Sequence, residues 1–177
     1  MIMSAVALLA SCRDKKQQDD AWVAPQHETV VRQMADYHLE DSVASGGHRY
    51  RFEITRLASD SLPKVRDDMD DLFADNTIRL TLSRDGSPYF DKTFTKATFA
   101  SSIDATFYRN AILDGIRFLR AEPGRGLTFS FSVSYPESDM SVPFMLTVSD
   151  QGTFSFVKDD TLDFEADDSA YYDADGV

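Results

Sequence analysis

Several things are scarce in this chain of 177 residues, and each scarcity closes off a class of protein. There is one cysteine, so no internal disulfide can form, and with three histidines the chain is too poor in soft ligands for a Cys/His zinc centre. Basic residues number 18 against 30 acidic ones, a net charge of −12, which argues against a binder of duplex nucleic acid. No apolar run approaches the roughly 18 residues needed for a membrane-crossing helix. The Gly-x-Ser-x-Gly elbow, the Gly-x-x-x-x-Gly-Lys phosphate loop and the dinucleotide fingerprint are all missing. What is plentiful is aromatic: 13 Phe and 7 Tyr, enough for one real core in a chain of this length.

The first eleven residues carry no charge, and Leu9-Ala10-Ser11-Cys12 follows the order of a bacterial lipobox: a branched apolar residue, two small residues, then the thiol. Small residues let the chain enter a peptidase cleft in extended form. The thiol takes the thioether-linked diacylglycerol, and cleavage before Cys12 frees an amine for a further acyl chain; two or more chains hold stably to a bilayer where one does not. Residues 1–11 therefore read as a lipoprotein signal peptide and Cys12 as the lipidation site. The positive n-region of such segments is absent before Cys12 and is expected upstream of Met1. Residues 13–20 contain no apolar side chain, so 12–28 read as the lipidated cysteine and a solvated tether. Trp22, the only tryptophan, is assigned to the edge of the core.

Residues 29–160 read as one strand-rich domain. Tyr50, Phe52 and Ile54 alternate with polar residues, as do Ile78, Leu80 and Leu82. The cleanest signal is Leu127, Phe129, Phe131, Val133 and Tyr135, interleaved with Thr128, Ser130, Ser132 and Ser134. Arg84-Asp85-Gly86-Ser87 is a hairpin turn, and Ser45-Gly46-Gly47 another turn, which tips the ambiguous stretch 29–40 towards strand. Residues 64–75 suggest an acidic loop holding a short helix. Phe99, Ile103 and Phe107 at spacing four predict one main helix ending near Asn110 and covering part of the apolar face. The expected fold is α+β and predominantly antiparallel, a meandering sheet or sheets of about seven or eight strands. One face is aromatic and the other rich in Ser, Thr and Arg. From Lys158 onward eight carboxylates face one lysine, a net of −7, so 161–177 read as a solvated acidic tail.

Three stretches together resemble one family: residues 75–87 from Asp75-Asn76 through Arg84-Asp85-Gly86-Ser87; Phe94-Thr95-Lys96 with Phe99; and Ser132-Val133-Ser134-Tyr135-Pro136 with Asp139. The chain is similar over residues 30 to 160 to an uncharacterised family of Bacteroidales-type lipoproteins, a domain of unknown function. The resemblance implies an envelope location, a lipobox cysteine before the domain, and a compact strand-rich fold. It supplies no reaction, substrate or active-site residue.

Chemistry-bearing constellations are thin. His27, His38 and His48 all precede residue 50, and nothing selects a serine to pair with them; His38 and His48 read as half-exposed strand positions. A glycosidase needs two carboxylates roughly 5 to 10 Å apart, but the clusters Asp67-Asp68 and Asp70-Asp71 fit a hydrated loop. Asp173-Ala174-Asp175-Gly176 resembles part of a calcium loop with Tyr171 at its first ligand position, so the tail is expected to hold counterions diffusely. Aromatics at strand spacing are expected in the core. No catalytic, metal or cofactor-binding residue and no cofactor is assigned. The expected function is a lipid-anchored outer-membrane protein, on its periplasmic or surface face, acting as a non-catalytic binding or assembly module. Its partners are the membrane, through the lipid, and an envelope protein or glycan, with no nucleic acid. The alternatives are an envelope hydrolase with an unfamiliar site, or an accessory lipoprotein marked by an exposed apolar patch.

Overall fold

Period-two alternation, with β-branched and aromatic residues on one face, draws most of the backbone into strands in the computed structural model, which describes residues 30–67 and 69–159. In chain order these are β1 (Val31–Arg32), β2 (Tyr37–Ser45), β3 (His48–Ala58), β4 (Val65–Arg66), β5 (Leu72–Phe73), β6 (Asn76–Arg84) and β7 (Ser87–Phe94). A 3-10 segment (Lys96–Ser102) and the short helix α1 (Ala105–Asn110) precede β8 (Ile112–Glu122), β9 (Gly126–Ser134), β10 (Ser141–Val148) and β11 (Phe154–Lys158). Cys12, Trp22, His27 and the acidic run 161–177 lie outside the described residues.

The strands form two antiparallel four-stranded sheets, ordered β2-β3-β6-β7 and β11-β10-β9-β8, and a small third sheet, β1-β5-β4. Each large sheet has one apolar face, and the two faces close on each other. Phe52 of β3 stacks on Phe118 of β8 at 5.0 Å and meets the Phe129 ring edge-on at 5.6 Å. Phe94 of β7 packs against Phe131 at 5.0 Å and Phe154 at 5.6 Å. Each fully buried Phe contributes about 1.5–3 kcal/mol by leaving water, and Phe52, Phe94, Phe99, Phe129, Phe131 and Phe144 are all below 2% exposed.

Several expectations are corrected. The described residues hold eleven strands in three sheets, and a second sheet covers the apolar face where a helix was expected. The predicted helix over 95–110 is broken in two. Ile103 is extended (φ −121°, ψ 139°), and the Asp104 carboxylate then caps α1 by accepting the N–H groups of Thr106 (2.8 Å) and Phe107 (3.2 Å). The run Ser101-Ser102-Ile103 is a weak helix former, and an aspartate prefers to start a helix to sitting inside one. The apolar stripe nevertheless meets the core: Phe99 is fully buried, and Phe107 stacks on Tyr135 at 4.5 Å. In the acidic stretch the expected short helix does not form among the described residues. Val65–Arg66 and Leu72–Phe73 pair as strands around a turn whose N–H groups at Met69 and Asp71 donate to the Asp67 carboxylate. Of the stretch expected as strand, Val31–Arg32 (β1) and the residues from Tyr37 onward (the start of β2) are strand, and residues 33–36 between them belong to neither.

Candidate functional site

The polar half of the β9 alternation points away from the aromatic core. Sheet register sets Ser130 between Arg117 and Met145, Ser132 between Gly115 and Pro143, and Ser134 between Ile112 and Ser141. Short hydroxyl side chains between taller neighbours lie deep, so Thr128, Ser130 and Ser134 are only 2%, 8% and 6% exposed although they sit on an outer face. Two hollows result. One, of about 400 Å³, is lined by Gly115, Arg117, Ser130, Ser132, Ser141 and Pro143 among others. The other, of about 330 Å³, is walled by Met34, Ile112, Tyr135 and Pro136, with Asp114 and Ser134 beside them and Arg32 and Glu137 at its edge.

Asp114 stands between them. It occupies an irregularity in β8, where the register slips between Leu113 and Gly115 and releases one residue from the ladder. Its Oδ2 accepts hydrogen bonds from the hydroxyls of Ser132 (3.2 Å) and Ser134 (3.1 Å). The Arg56 guanidinium supports the same segment: Nη1 donates to the Asp114 carbonyl and lies 3.9 Å from Oδ1, while Nη2 donates to the Ala35 carbonyl at 2.7 Å. The Arg56 guanidinium carbon lies 4.6 Å from the centre of the Tyr37 ring, whose hydroxyl donates to the Ile116 carbonyl. Burial raises the Tyr37 pKa, more than the hydrogen bond and Arg56 lower it. Asp114 remains 35% exposed at its side chain. Arg32 bridges Asp71 (3.0 Å) and Glu137 (2.8 Å) at the far rim. The arrangement is a fixed, acceptor-rich surface.

The histidines do not join it. His38 bonds Thr55 at 2.9 Å, and His48 pairs with Asp85 at 2.6 Å, which, behind the Arg49 N–H, helps hold the Asp85 carboxyl below its usual range. Both lie on exposed strand positions, and neither ring is hydrogen-bonded to a serine among the described residues, although His48 sits opposite Ser45 in the β2–β3 ladder. Asp70 and Asp71 pair with Arg66 and Arg32, and Asp68 lies outside the described residues, as does the 173–176 motif. No group of three or more metal-ligating side chains is assembled among the described residues.

Two features were missed in the sequence. Asp114-Gly115 inside a strand pattern carries a legible signal, since a glycine there marks a bulge. Asp75, counted with the acidic loop, is 1% exposed and belongs to a buried polar cluster with Asn76 and Lys96. Both stretches that hold this cluster, 75–87 and 94–99, are among those carrying the family resemblance.

The fold is that of a mostly antiparallel β protein, two four-stranded sheets closing on an aromatic core beside a small third sheet. The chain belongs to the family described as a domain of unknown function (DUF4738), whose model matches residues 16–156. No curated protein matches it at a significant level.

Proposed function

We propose that this chain is a lipid-anchored protein of the cell envelope, of the Bacteroidales lipoprotein type, in which the β domain serves as a non-catalytic binding module held near the outer membrane. The observation that carries the anchor is Leu9-Ala10-Ser11-Cys12 followed by eight residues without an apolar side chain. A tether of this composition sets a folded domain off the bilayer without committing it to the surface. The matched family region begins at residue 16, after the cysteine, in keeping with a leader and anchor that precede the family domain. The binding role draws on the two hollows around Asp114, where hydroxyls and a carboxylate are pre-positioned on rigid strands.

The anchor is tested by metabolic labelling with an alkynyl fatty acid in an envelope-forming bacterial host. The parent protein is expected to take label and sediment with membranes, and Cys12→Ser to lose both. A Cys12→Ser protein that labels and fractionates like the parent overturns the anchor.

A further inference from the structure

Resting on the binding-module reading, we propose that the two hollows flanking Asp114 take a neutral oligosaccharide laid along the outer face of β8 and β9. Three observations narrow the ligand class.

The first is where hydrogen-bonding capacity is left over. Ser132 and Ser134 both spend their protons on Asp114 Oδ2, so each presents lone pairs outward. Asp114 Oδ1 is 3.9 Å from Arg56 Nη1, beyond hydrogen-bond reach, and keeps its own lone pairs on a partly exposed carboxylate. The centre of the surface therefore asks for a ligand with many donors. Backbone groups of β9 are committed to the ladders with β8 and β10. A peptide thus cannot add there as a strand, and would bring as many acceptors as donors. A polyhydroxylated ligand supplies O–H donors at close spacing.

The second is charge. Asp114 and Glu137 are balanced by Arg32 and Arg117 over the two hollows, and Arg117 is exposed with no ion-pair partner among the described residues. A carboxylate at the centre disfavours phosphate or sulfate. The absence of a multi-carboxylate cluster among the described residues gives a cation no cage.

The third is shape. Tyr135, half-buried in the wall of one hollow, offers apolar surface to the C–H face of a sugar ring, while Ile112 and Pro136 there and Pro143 in the other hollow are buried and shape the linings. Ser130 to Ser134 spans about 13 Å at strand rise, a length suited to a short chain of sugars. Each hollow lies at the small end of ligand pockets, roughly 300–1,000 Å³.

Gly115 makes the test clean. A Cβ built there meets only the Ser132 hydroxyl, at 3.6 Å, so a larger side chain enters the hollow without backbone strain. Full-length protein in detergent is to be screened against an array of neutral and acidic oligosaccharides and against a peptide library, with thermal unfolding followed for every variant. The expected result is binding to at least one neutral oligosaccharide, weakened at least about tenfold by Gly115→Leu and by Asp114→Asn with melting retained. Arg117→Ala, at an exposed position, provides a second weakening variant should Gly115→Leu fail to fold. Binding to anionic glycans alone, or glycan binding untouched by variants that still fold, overturns the inference. A blank glycan array with a peptide bound in the hollows, and lost in the same variants, overturns the carbohydrate and keeps the binding module. No ligand of either class overturns both.

Discussion

Lys96 Nζ lies 3.4 Å from Asp75 Oδ2, and both side chains are shut away from solvent, at 9% and 2% exposure. Lys96 also donates to the Ala111 carbonyl at 2.6 Å and sits 5.0 Å from the Tyr108 ring centre. Asp75 Oδ1 accepts the N–H groups of Asn76 and Leu113, each at 2.8 Å. One ion pair thus ties together the starts of β6, the 3-10 segment and β8, three places that no backbone ladder joins directly. A buried pair of this kind specifies geometry more than it adds stability, but losing one partner strands the other.

Asp75→Ala is therefore expected to destabilise the protein by about 3–5 kcal/mol, with Lys96→Met somewhat milder because two backbone N–H groups still hold the carboxylate. The double variant Asp75→Ala, Lys96→Met should recover part of the loss. Urea unfolding of the four proteins measures the coupling. Strictly additive losses would mean that the two charges do not depend on each other.

Gly126 and Gly86 make a matched pair. Gly126 has φ +100°, and a Cβ there would stand 2.0 Å from the Val148 carbonyl oxygen. Gly86 has φ +83° with nothing within 4 Å. Gly86→Ala should cost about 1–2 kcal/mol for its conformation alone. Gly126→Ala adds a backbone collision and should unfold at a clearly lower temperature. Equal shifts in melting temperature would show that β9 can move away from β10 at that corner.

Phe99 plugs the core from the 3-10 segment, stacking on Phe144 at 4.7 Å and touching Phe131 and Phe156. Phe99→Ala is expected to cost about 3–5 kcal/mol. Phe154→Ala, at a position 37% exposed, should cost less. Denaturant midpoints decide the ranking, and a near-neutral Phe99→Ala would mean that the segment is dispensable.

Burial raises the pKa of Tyr37, Tyr50 and Tyr89, and at Tyr50 the hydrogen bond to Asp150 adds to it. A phenol whose folded pKa lies above its unfolded value of 10.0 contributes stability fully below pH 10. That contribution fades as pH rises towards the folded pKa. Phenolate absorbance should thus appear later in the folded protein than in the denatured one, and melting temperature should fall above pH 10. The Tyr89 hydroxyl is buried without a partner, so Tyr89→Phe is expected to be neutral or slightly stabilising. A marked loss in Tyr89→Phe would reveal a hydrogen bond at that oxygen.

Much of the fold was legible because strand periodicity is local. Tyr50-Phe52-Ile54, Ile78-Leu80-Leu82 and Leu127-Phe129-Phe131-Val133 each declare their inward face within a few residues, and all are buried as the pattern requires. Alternation says that a face is covered, though not by what, so the choice between a helix and a second sheet fell to the packing of Phe52 and Phe94 against Phe118, Phe129 and Phe131. The candidate site was half legible: the Ser and Thr row on β9 stands in the sequence, while the bulge that turns Asp114 onto it depends on how β8 registers against its neighbour. Charge state was least legible of all. Asp75 and Asp71 look alike in the chain, yet one is locked in the interior by Lys96 and the other lies at the surface with Arg32. An aspartate's role depends on which distant cation and amides reach it, and only the folded chain brings those within bonding distance.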